Sequence, residues 1–210
     1  MTEDRLREEI AALGRSMYER GLTHGSTGNI SARCADGWLL TPTGSSLGRL
    51  DPARIAKLDW NGKLLAGDPP SKENFLHLAM YEERPQNGAV IHLHATHSVA
   101  VSVLADTNPE DALPPLTAYY VMRIGSLPMV PYYAPGDMAL ADAVRKLASR
   151  HHAVLLANHG PVVSGTTLAA AADAMEELEA TAKLHLLLRG EETRLLNAEQ
   201  IADLKRRFPQ

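Results

Sequence analysis

The sequence has a single cysteine, Cys34, so no disulfide can form within the chain. A reducing, cytoplasmic setting is the expectation that follows. A basic surplus is also missing. Lysine and arginine number 21 against 25 aspartates and glutamates, a formal net charge of −4, which leaves no electrostatic footprint for nucleic acid. No apolar run approaches the roughly 20 residues of a membrane span, so no membrane partner is expected. The opening MTEDRLREEI is acidic and amphipathic rather than the apolar core of a signal peptide. Repeats, low-complexity tracts and long linkers are absent. What remains, 45% hydrophobic and 22% charged residues in a chain of 210, suits one globular domain over residues 1–210.

Within that domain Leu6, Ile10, Leu13 and Met17 recur at helical spacing and predict a helix over 3–20. The stretches HGSTGNIS (24–31) and TPTGSS (41–46) read as turns. Strands are predicted at 37–41 and 54–60, with a hairpin turn at Asn61-Gly62. Ser71 is placed to cap a helix running to about Arg84. Residues 89–95 and 99–104 look like strands, although 99–104 also fits a helix. Further strands are predicted at 122–124, 129–132 and 153–157, and helices from Asp137 to about Arg150 and from Thr167 to about Arg189. Asn197 and Gln200 form a capping-box pattern for a last short helix. Interspersed helices and turn-joined strands imply a layered α/β domain with antiparallel pairing.

Nine histidines are present, and their placement carries more than their number. In Val90-Ile91-His92-Leu93-His94, two imidazoles stand two residues apart and, on a strand, share one face. A tetrahedral zinc site needs further ligands, and His159, in LLANHGPVV at the exit of a buried strand, is the best third candidate. A pair of merely hydrogen-bonding histidines is the other reading of the same pattern. His97 falls on the opposite face or in a turn and is left outside the ligand set. Glu73 opens a helix, where an acid is favoured by the helix dipole whatever its function; a general acid/base poised over a metal is the functional alternative. Gly28-Asn29, Thr43-Gly44 and Ser71 lie in small, hydroxyl-rich turns or at a helix start, suited either to plain turns or to holding an anion through backbone N–H groups.

Taken in order, GSTGNIS, TPTGSSLG, PSKE, HLHATHS and ANHG resemble the class II aldolase/adducin family over residues 5–190. The resemblance implies a single three-layer α/β/α domain with a central, largely antiparallel sheet. It implies His92, His94 and His159 as zinc ligands, with another divalent ion such as manganese as the alternative, and Glu73 as the catalytic acid/base. Gly28, Asn29, Thr43, Gly44 and Ser71 would hold a substrate phosphate. The assembly implied is a homotetramer with active sites at subunit interfaces. Two features depart from the family's aldolases: Lys72 stands where they carry a second serine, and the tail LKRRFPQ lacks their tyrosine. The stretch LPPLTAYYVMRIGSLPMVPYYAPGD (113–137), with PPSKE and LGRLDPARIAKLD, is closer to the 3-oxo-tetronate 4-phosphate decarboxylase subfamily. There one of Tyr119 and Tyr120, with Tyr119 preferred, is the expected proton donor, and Lys72 would orient the carboxylate or phosphate. The implied activity is a metal-dependent carbon–carbon lyase that decarboxylates a small phosphorylated sugar acid through an enediolate. A sugar-phosphate aldolase or epimerase is the runner-up. A non-catalytic adducin-like scaffold fits less well, because it has no reason to keep the ligand set.

Overall fold

The computed structural model describes residues 2–134 and 136–208; the ends of the expected 1–210 domain and of the tail 204–210 lie outside them. Eight strands form one sheet: β1 (Asn29–Cys34), β2 (Gly37–Leu40), β3 (Ala56–Leu58), β4 (Leu64–Ala66), β5 (Ala89–His92), β6 (Met129–Val130), β7 (Ala153–Leu156) and β8 (Gly160–Gly165). Their order across the sheet is β4-β3-β2-β1-β5-β8-β7-β6. Every neighbouring pair is antiparallel except β6–β7.

Alternation along the strands divides the interior in two. Ile30, Ala32, Ala89, Ile91, Leu155 and Val163 join one apolar cluster, with Ile10 and Met17 of α1 (Glu3–Glu19), Val101 of α3 (Thr96–Val103), Tyr120 of α4 (Ala118–Arg123) and Met175 of α6 (Leu168–Leu187). Val90, Val154 and Val162 face the other way. They meet Phe75, Leu76 and Met80 of α2 (Asn74–Glu83) and Leu140 and Val144 of α5 (Ala139–Ala148). Helices on both faces of a mostly antiparallel sheet make the three-layer α/β/α domain that was expected.

Several local expectations are corrected. Residues 99–103 lie in α3, the helical alternative of the two readings for 99–104, whereas 122–123 end α4, so the strand expected at 122–124 is not formed. β1 begins where a turn was read, and β8 forms where no element was assigned: β1 alternates apolar Ile30 and Ala32 with Asn29 and Ser31, and its polar face is buried rather than wet. Helix α2 starts at Asn74, three residues after Ser71. Helix α5 starts at Ala139, although Asp137 Oδ1 still accepts the Ala139 amide at 2.9 Å. The capping box of Asn197 and Gln200 opens α7 (Ala198–Arg207) as read.

Candidate metal centre

β5 lies at the middle of the sheet between β1 and β8, with His92 paired in register to Asn29 and Val162. His92 is fully buried on the α2/α5 face. Its Nδ1 stands 2.9 Å from the carbonyl oxygen of Pro161. A carbonyl only accepts, so Nδ1 carries the hydrogen and Nε2 keeps its lone pair for the site. His94 is not on the strand: β5 ends at His92, and His94 sits in the segment leading to α3. The two rings converge all the same, with centroids 5.1 Å apart.

His159 comes from the three-residue turn joining β7 to β8. Asn158 takes the left-handed conformation this turn requires, at φ 57°, which asparagine tolerates better than most residues. Gly160 then presses against the Leu93 carbonyl; a Cβ there would come within 2.3 Å of that oxygen. Only glycine permits the approach. It brings His159 Nε2 to 3.1 Å from His94 Nε2 and 3.3 Å from His92 Nε2.

Glu73 completes the cluster. Its Oε1 lies 3.1 Å from His159 Nε2 and its Oε2 3.6 Å from His92 Nε2. The four ligand atoms all fall within 4.8 Å of one another. His159 Nε2 offers either one proton or one lone pair and cannot bond all three neighbours; a cation satisfies the whole set. Tetrahedral zinc at 2.0–2.1 Å from each nitrogen sets ligand separations of about 3.3–3.4 Å, close to those found. Burial, aided by the neighbouring histidines, pushes the His94 pKa down to about 4, and burial likewise lowers His92. Both therefore stand neutral, as ligands must. Burial alone would raise Glu73, but hydrogen bonds from the His159 ring and the Asn29 amide help to hold its carboxyl below the usual range. The donor set fits a divalent cation.

Glu73 is free for this role because it makes no side-chain capping bond to α2. Ser71, expected as the cap, instead accepts the Glu73 amide on Oγ at 3.3 Å. Asn29 Nδ2 donates to Glu73 Oε2 at 2.8 Å and to Ser71 Oγ at 3.1 Å. The Ser71 amide donates to the Thr41 carbonyl, the Thr43 amide to the Pro69 carbonyl, and Pro42 bridges Pro70. The 41–44 and 69–71 segments therefore run side by side, with Thr43, Gly44 and Lys72 exposed. Gly28 packs on the His92 carbonyl and the Leu93 side chain at φ 80°.

Comparison with known proteins agrees with this geometry. Residues 8–186 match the family described as Class II Aldolase and Adducin N-terminal domain. The chain belongs to the class II aldolase/adducin family. It is 50% identical over 204 residues to a protein of Pectobacterium atrosepticum named 3-oxo-tetronate 4-phosphate decarboxylase, covering 97% of this chain and 94% of that one. Identity to the L-fuculose phosphate aldolase of Escherichia coli is 34% over 212 residues, covering 99% and 96%. The crystal structure of YgbL from Escherichia coli is 48% identical, with a TM-score of 0.95 over 97% of this chain and 99% of that one.

In this class II aldolase family member the tyrosines lie elsewhere within the single chain. Tyr119 projects from α4 at 60% exposure and does not line the cavity beside the histidines. Tyr120 is buried, its hydroxyl donating to Asp111 Oδ1 at 3.4 Å. Burial and the Asp111 charge push its pKa above the usual phenol range, which makes it the poorer proton donor. The cavity, about 560 Å³, opens on His94 and His159 and is lined also by His24, Thr96, Val99, Tyr132, Tyr133 and Asn158. Sequence reasoning did not select these residues. The signal available was adjacency: His24 precedes GSTGNIS, and Tyr132-Tyr133 follow β6.

Proposed function

We propose that this chain is a zinc-dependent decarboxylase converting 3-oxo-tetronate 4-phosphate to dihydroxyacetone phosphate and CO2. The observation that carries the reaction class is the half-buried carboxylate of Glu73 set against three converging imidazoles. The choice of substrate is supported by the higher identity to proteins named for that decarboxylation than to the fuculose aldolase.

His92, His94 and His159 would hold a divalent ion, which when bound would supply a Lewis acid for the substrate's 3-keto oxygen. The chain's own residues do the rest. Asn29, Ser71, Thr43, Gly44 and Gly28 hold the phosphate end, and Lys72 adds a positive charge for the phosphate or the carboxylate. Fixing those two ends lines up the C1–C2 bond for cleavage. When that bond breaks, CO2 departs and its electron pair stays at C2, delocalised into the ketone as an enediolate. One proton delivered to C2 completes the product. Glu73, relaying a proton taken from water, or Tyr119 delivers it, Tyr119 reaching from a neighbouring copy in a homotetramer whose active sites lie at subunit interfaces. The whole of residues 1–210 acts as one such domain, in the cytoplasm, with manganese or a similar ion able to stand in for zinc.

The same enediolate follows from retro-aldol cleavage, so a sugar-phosphate aldolase or epimerase is the competing reading, and the 34% identity to the fuculose enzyme favours keeping it in view. One assay separates them. The purified protein is given 3-oxo-tetronate 4-phosphate, and CO2 is followed with and without chelator. Chelator-sensitive CO2 release is expected. No CO2, with aldehyde released from fuculose- or ribulose-type phosphates, overturns the proposal.

A further inference from the structure

Glu73, His77 and Tyr81 recur every fourth residue from the start of α2, while Asn29, Ser31 and Arg33 recur every second residue along β1. Four helical residues advance about 6 Å and two strand residues about 6.6–6.8 Å. The two polar stripes therefore stay in step where α2 crosses the sheet. They mesh: Asn29 meets Glu73 and His77, Ser31 meets His77 and Tyr81, and Arg33 donates to the Tyr81 carbonyl at 2.8 Å.

The direction of each hydrogen bond in this chain is fixed. Asn29 must turn its Nδ2 toward the Glu73 carboxylate, which accepts only. Its Oδ1 is thereby left for His77, so His77 Nε2 carries the hydrogen. His77 is fully buried and burial pushes its pKa down to about 3, so the ring is neutral and Nδ1 is a lone pair. Ser31 donates to that Nδ1 at 2.7 Å and accepts from the Tyr81 hydroxyl at 2.8 Å. Every donor from Tyr81 to Asn29 points toward Glu73, and bonds aligned in this way strengthen one another.

We propose that His77, which does not touch the candidate ligand atoms, is a positioning residue that holds the Asn29 amide by its Oδ1 and so keeps its Nδ2 on Glu73. A flipped amide would turn Oδ1 on the carboxylate and repel it from its place against the histidines. The inference rests on the reading of Glu73 as the acid/base, and it requires His77 and His92 to hold opposite tautomers, Nε2–H in one and Nδ1–H in the other.

Two variants and one spectrum test it. Glutamine places its amide nitrogen near the position of Nε2, and asparagine places its own near Nδ1. His77→Gln keeps the donor to Asn29 and is expected to retain most of the CO2-releasing turnover. His77→Asn keeps only the link to Ser31 and is expected to lose about 10- to 100-fold. Nitrogen-15 histidine NMR of the wild-type protein as purified, with the His77 signals identified by their loss in His77→Gln, is expected to show Nε2 protonated and Nδ1 bare. Equal losses in both variants, or a His77 ring protonated on Nδ1, would overturn the role. Wild-type protein that releases no CO2 would count against the proposed function, whereas the ring spectrum still decides the tautomer of His77.

Discussion

Ile91 and His92 are neighbours on β5, both fully buried, and they face opposite worlds. Ile91 enters an apolar cluster shared with α1, α3, α4 and α6. His92 enters the layer under α2, where Asn29, Ser31, Ser71 and His77 are also buried. Burying polar groups opposes folding unless each finds a partner. The buried polar groups around His92 and Glu73 gather on the α2 face of the sheet, while the face that Ile91 enters is mainly apolar, with Ser98 of α3 and Thr181 of α6 buried among its helices. The division separates what makes the protein stable from what makes it active, residue by residue along a single strand.

The sharpest test of the polar layer is Glu73→Gln, which keeps the shape of the side chain and removes the charge. Turnover is expected to fall by about 10²- to 10⁴-fold with metal still bound, measured as CO2 release beside metal content. Retained turnover would remove Glu73 from proton transfer. Next comes the paired comparison of neighbours. Ile91→Ala is expected to cost about 2–5 kcal/mol in denaturant unfolding while the folded protein still binds metal. His92→Ala is expected to lose the metal and the activity. If Ile91→Ala abolished metal binding in the folded state, the separation of the two faces would fail. Chelation is milder: with free metal at about 100 times its dissociation constant, removal lowers stability by about 2.7 kcal/mol. That shift in Tm is expected in the wild type and absent in His92→Ala.

Acid is the gentlest probe near neutrality. Burial holds the His77 pKa at about 3 and the His152 pKa at about 4, whereas both rings titrate near 6.5 once unfolded. The unfolded chain therefore binds more protons below that value. The neutral folded rings do not oppose folding above about pH 6.5, and stability falls progressively as pH drops toward 4. His152→Phe is expected to flatten part of this slope in a series of Tm against pH. A slope unchanged by the substitution would show that His152 does not contribute.

The layered fold and the convergence of the three histidines were legible because they rest on local patterns: helical spacing in α1, short apolar runs in β2 and β7, and HxH followed by NHG. β1 was not legible. Its inward polar residues mimic a solvent-facing turn, and only the arrival of α2 shows that Asn29 and Ser31 are buried. The start of α2 was misplaced for a related reason, since Ser71 spends its hydroxyl on the Glu73 amide and on Asn29. The strand expected to carry both His92 and His94 ends at His92; the Leu93 amide still donates to the Pro161 carbonyl of β8, and Gly160 packs on the Leu93 carbonyl. Tyr119 was named from resemblance alone, and a single chain gives its side chain no neighbour at the cluster.

The turn that carries His159 is only three residues long and is anchored at both ends by paired strands. So short a span has little slack to swing its imidazole away. Loading and stripping of the ion accordingly call for side-chain rotation rather than for rebuilding of the backbone. Dialysis against one divalent cation after another then becomes a practical route to a series of otherwise identical proteins, each differing from the next in a single atom.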